Sequence, residues 1–107
     1  MTTFDERKDA YENKFAHDAE LQFRAEARRN RLLGQWAAAE LGKTGAEADA
    51  YALSIVQADL EEAGDEDVFR KIRADFDAGN VDQSDHQIRR QMDEFLIQAA
   101  EQIEKEG

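Results

Sequence analysis

The stretch TTFDERKDAYENKFAHDAE, residues 2–20, decides how the rest of the chain is arranged. Its three aromatics, Phe4, Tyr11 and Phe15, lie seven and four residues apart, so a helix places them on one face. Mixed charges surround them. If the remaining chain covers that face, the stretch is ordinary structure. If it does not, the face is free to meet another protein.

Outward from this stretch, glycine supplies the punctuation, because the chain has no proline. Gly42 and Gly45 flank Lys43-Thr44, and Thr44 precedes Glu47 in capping-box spacing, so one helix should end near Leu41 and the next begin near Gly45. Gly64-Asp65 offers a further break with an N-cap, Gly79-Asn80 a C-terminal stop, and Ser84 with Gln87 a second capping box. Apolar stripes at three- and four-residue spacing run between these signals. They comprise Phe23, Ala27, Leu32, Leu33, Trp36 and Ala37; then Ala48, Tyr51, Ala52, Ile55, Val56 and Leu60; then Val68, Phe69, Ile72 and Phe76; and last Ile88, Met92, Phe95, Leu96, Ala99 and Ile103. Trp36, Ile55, Ile72, Phe95 and Ile103 are the expected core. Gly34 predicts either a close helix crossing or a mild kink. Short connections favour antiparallel neighbours, and the expected fold is all-α, an antiparallel four-helix bundle.

Length then bears on the opening stretch. A helix over residues 45–63 spans roughly 28 Å, whereas a continuous helix over residues 4–41 would span roughly 57 Å at about 1.5 Å per residue. The expectation is a protruding, mobile N-terminal segment at 1–17 and an anchoring bundle at 18–107. Phe4, Tyr11, Lys14 and Phe15 are then the candidate partner-binding residues. Alone, such a segment is marginal as a helix in water. Deleting residues 1–15 should on this view leave the fold and its melting temperature unchanged.

Composition narrows the function. The 107 residues fit one modest domain, and the absence of cysteine excludes disulfides and thiolate chemistry. The net charge of −11 lies entirely within residues 32–107, since residues 1–31 hold seven acids and seven bases. Arg24, Arg28 and Arg31 form a possible basic docking face within that neutral part. An acidic body is repelled by phosphate backbones, so no nucleic-acid partner is expected. Neither a signal-peptide core nor an 18-residue apolar run is present, and a cytoplasmic protein without membrane insertion is expected.

The motifs of chemistry fail on spacing. Gly42-Lys43-Thr44 resembles the end of a P-loop, but Ala37 stands where the first glycine is required and a helix precedes it. Asp75, Asp77 and Asp82 lack the further ligands of a calcium loop, with Gly79 and His86 at required positions. The two histidines, His17 and His86, form no Glu-x-x-His pair. No catalytic residue, cofactor or metal is assigned, and an enzyme is not expected.

Residues 14–38, KFAHDAELQFRAEARRNRLLGQWAA, carry a more specific signal. Phe-Ala-His-Asp at 15–18, Ala-Arg-Arg-Asn at 27–30 and Leu-Leu-Gly-Gln-Trp-Ala at 32–37 resemble the zeta-subunit inhibitor family of alphaproteobacterial F-type ATP synthases. LGKTGAEADAYA at 41–52 and EEAGDEDVFRKI at 61–72 are also similar to that family, so the resemblance spans essentially the whole chain. It implies a bundle whose N-terminal segment wedges between the rotor and the catalytic stator subunits and blocks ATP hydrolysis. It further implies peripheral association with the membrane-bound synthase and weak nucleotide binding at no site that a motif here locates, and the free protein is expected to be a monomer. The alternative from the residues alone is a homodimeric helical scaffold that self-associates through its N-terminal helix.

Overall fold

A computed structural model of the chain describes residues 3–15, 17–60 and 65–106. Among the described residues there are five helices, in the order α1 (Thr3–Phe15), α2 (Ala19–Glu40), α3 (Gly45–Ala58), α4 (Glu66–Ala78) and α5 (Asp85–Glu106). The all-α expectation holds. The four-helix bundle with a protruding extension does not, because the N-terminal segment is a fifth helix folded back on the others.

The cause of the difference is a break at His17 and Asp18. Asp18 is extended, at φ −127° and ψ 99°, and its carboxylate accepts a hydrogen bond from the Leu21 amide at 3.1 Å. An aspartate in that conformation starts a helix rather than continuing one. The long axis of the molecule is therefore 38 Å and not the span of a 38-residue rod.

The other boundaries follow local chemistry. Gly42, at φ 77°, ends α2 in a Schellman turn, with Lys43 N–H donating to Ala38 and Gly42 N–H to Ala39. Ser84 and Gln87 form the reciprocal capping box, at 2.7 and 3.1 Å. Thr44 makes no side-chain capping bond, so that capping box is not formed. Asp65 makes none either. Its carboxylate is held instead by Arg29 at 2.7 Å. Gly64 and the expected end of the second bundle helix at 59–63 lie partly outside the described residues; α3 ends at Ala58.

The main core lies among α2, α3, α4 and α5, where Leu33, Ile55, Ile72, Phe76 and Ile88 are fully buried. Ile103 is buried in a second cluster. Trp36 and Phe95 are only partly buried, at the edge of the main core, where the Trp36 ring meets Phe76 edge-on at 5.5 Å. Phe23 and Leu60 correct the sequence stripes, being 63% and 72% exposed. Gly34 is a close crossing and not a kink: a Cβ there would lie 2.7 Å from the Ala52 Cα.

Candidate functional site

The second core cluster is built around α1. Phe15, 1% exposed, packs with Ala25 of α2 and with Ala100 and Ile103 of α5, while Tyr11, Leu21 and Leu96 close over it. The Tyr11 and Phe15 rings lie 5.1 Å apart. Phe4 is half-buried and faces the first half of α5, sharing a cavity with His86, Arg90 and Asp93. The expectation that these three aromatics lack cover within the monomer is therefore wrong. So is the premise of an uncovered face for self-association through Phe15. The residues that cover it come from the ends of α2 and α5, which the length comparison did not bring back against the segment.

Polar contacts fix the register. Arg7 donates to both oxygens of Glu101, at 2.8 and 2.9 Å, and to Glu94 at 3.0 Å. Glu94 and Glu101 are seven residues apart, so two turns of α5 present both carboxylates to one guanidinium. The hydrogen bonds to Glu101 and Glu94 push the Arg7 pKa further up, and Arg7 holds the Glu101 carboxyl below its ordinary range. Lys14 pairs loosely with Glu104 at 3.7 Å. Phe4, Arg7, Lys14 and Phe15 meet successively later positions of α5, so the two helices run parallel. Arg7 was not among the candidates, although its place between Phe4 and Tyr11 on the same helical stripe is the signal that finds it.

Midway along α2 lies a buried polar junction. Arg29, 1% exposed, donates to Asn30 at 2.7 Å and to Asp65 at 2.7 Å, and so ties α2 to the start of α4. A guanidinium removed from water needs such partners. Burial, and then the Asp65 charge, push the Glu26 pKa up; burial, and then Glu26, push that of Tyr11 up.

The basic face stands apart from α1, on the α3 side of α2. Arg24, Arg28 and Arg31 line an open groove of about 780 Å³ between α2 and α3. Arg28 is half-buried and forks onto Glu106 at 2.5 and 2.8 Å, whereas Arg24 and Arg31 are exposed. Thus the structure gathers the two sets of candidates into two places, and Lys14 belongs to neither core. Two of the three carboxylates considered for calcium are engaged by side chains, Asp75 with Tyr51 and Lys71, Asp77 with Arg73. His17 and His86 are exposed. Among the described residues no group of three or more potential metal ligands occurs, and no helix is long and apolar enough to cross a membrane.

Fold and surface together define a small all-α protein whose N-terminal helix lies along α5, held by the buried Phe15 and by the ion pairs of Arg7. A family model described as ATPase inhibitor subunit zeta matches residues 1–102, and the chain belongs to that family. A chain solved by solution NMR is 45% identical, with a TM-score of 0.72, over 81% of this chain and 99% of that one. Among curated proteins none matches. Membership supports a role as an ATPase inhibitor and implies an interaction with the ATP synthase.

Proposed function

We propose that α1 leaves its seat on α5 and enters the space between the rotor and the catalytic stator subunits of an F-type ATP synthase, where it blocks ATP hydrolysis sterically. Residues 1–17 form the inhibitory segment, with Phe4, Tyr11, Lys14 and Phe15 meeting the motor. Residues 18–107 anchor it, helped by Arg24, Arg28 and Arg31. The free protein is a monomer, and the mechanism needs no catalytic group, cofactor or metal of its own.

The observation that carries this reading is the weak hold on α1. Of its thirteen residues only Phe15 is buried. Burying one aromatic gives about 1.5–3 kcal/mol, and a partly exposed ion pair about 0.2–1 kcal/mol. A partner that buries Phe4, Tyr11 and Phe15 together offsets both. The helix is already formed, which lowers the ordering cost of binding.

The test uses the natural absence of cysteine. Ala10 and Glu104 border one small cavity between α1 and α5. The pair Ala10→Cys and Glu104→Cys, bridged by a short bismaleimide, fastens α1 to the body. The unbridged variant should inhibit hydrolysis by the purified cognate synthase, and the bridged one should not. Equal inhibition by both would mean that α1 acts where it lies, or not at all.

A further inference from the structure

The groove between α2 and α3 has a chemistry unlike the rest of the surface. Phe23 and Leu53, 63% and 57% exposed, are two of the three large apolar side chains left in the open among the described residues, and both line it. Its lining holds three arginines and one carboxylate, that of Asp49, with Glu106 at the edge meeting Arg28 and feeling the charge of Arg24, on a chain of net charge −11. Neither Arg24 nor Arg31 has an ion-pair or hydrogen-bond partner among the described residues. Arg28, between them on the same ridge, takes a carboxylate in bidentate fashion from Glu106. The ridge Arg24–Arg28–Arg31 repeats at four and three residues, the spacing of one helical face, and the lining from Phe23 to Gln35 covers about 18 Å at about 1.5 Å per residue.

We propose that this groove receives an acidic amphipathic helix of about twelve residues from the ATP synthase. Its apolar stripe lies on Phe23, Leu53 and Val56, and carboxylates three or four residues apart pair with Arg24 and Arg31. The occupant is helical because two antiparallel helices offer a ridged trough and no strand edge. It is acidic because a basic or neutral segment would cover Arg31 with no carboxylate and Arg24 with only the more distant Glu106, at a cost. The proposal rests on the inhibitor reading and adds to it the partner's chemistry at the anchoring end.

A photo-crosslinking residue in place of Leu53, in the full chain, tests the assignment against the purified cognate synthase, with the adduct mapped by mass spectrometry. The expected adduct lies in a helical segment of a synthase subunit with acids at three- and four-residue spacing. Arg24→Gln with Arg31→Gln should weaken binding by about tenfold, mainly through a slower on-rate that no longer falls with salt. Both positions are exposed, and the far-UV spectrum and melting temperature should confirm an intact fold. An adduct with a second copy of this chain, with a basic segment, or with none, would overturn the groove. So would wild-type binding by the double variant. If wild type binds and inhibits while the double variant is indistinguishable from it, the inhibitor reading stands and the groove alone fails. If wild type neither binds nor inhibits, both fall.

Discussion

At the scale of single residues, Gly34 is the most exacting position. Ala52 sits so near that a Cβ on residue 34 would lie 2.7 Å from its Cα, and the obstruction is backbone, not a flexible side-chain end. Gly34→Ala should therefore destabilise the protein by about 1–3 kcal/mol, the usual range for overpacking, despite the better helix propensity of alanine. Urea denaturation checks this, and a neutral or stabilising result would mean that α2 and α3 separate without cost. The sequence showed a glycine inside a helical stripe and left crossing and kink both open. Only the opposing Ala52, eighteen positions along and across a turn, distinguishes them. Asp65 shows the converse. Its place after Gly64 reads as an N-cap, yet Arg29 captures the carboxylate. A buried cation has a stronger claim on an anion than an exposed backbone amide does.

At the scale of elements, the parallel seating of α1 on α5 depends on pH and salt. Arg7 keeps the Glu101 carboxyl below its ordinary range, so Glu101 adds to docking above about pH 4.3, the usual value for glutamate. That contribution is lost as pH falls through the depressed value. The protection of the α1 amides, taken relative to the intrinsic exchange rate at each pH, should accordingly be higher at pH 7 than at lower pH, and it should fall with added salt. Arg7→Gln should raise the undocked population about fivefold at neutral pH, equivalent to about 1 kcal/mol for a partly exposed network, and should flatten the pH response. An unchanged exchange rate in that variant would leave Phe15 as the sole hold. The helices themselves were largely legible, because apolar stripes and the Ser84–Gln87 and Gly42 signals are local. The break before α2 was less so. Residues 4–41 hold no glycine before Gly34, and the aspartate that stops the helix sits among helix-forming residues.

For the whole molecule, the length comparison foresaw an overhang, and the fold instead turns the segment through a hairpin. Truncation now has a different expected outcome. Removing residues 1–15 takes Phe15 from Ala25, Ala100 and Ile103, and burial of one aromatic is worth about 1.5–3 kcal/mol. The melting temperature should fall by about 10 °C in a domain of this size. The body should still fold, since no residue of α1 enters the main core around Leu33, Ile55, Ile72 and Phe76. Stopping the deletion at Lys14 should recover most of the loss. Calorimetry of the two truncations separates these cases, and an unfolded body in either would make α1 integral to the core. The acidic imbalance was legible from counting charges. Where the basic strip would meet exposed Phe23 and Leu53 was not, because it depends on the pairing of α2 with α3.

The Asp18 turn also sets the terms on which any partner is met. Since that residue closes the start of α2 with its own carboxylate, at the Leu21 amide, α2 does not need α1 for its first turn. A departed α1 stays tethered a few residues from its seat, at an effective concentration on the order of millimolar. Every external site must therefore compete with an intramolecular rival, and the apparent affinity is the intrinsic one reduced by the fraction of molecules with α1 free. Substitutions at Glu94 or Glu101, which lie on α5 and not on α1, would on the proposed mechanism tune inhibition by changing that fraction.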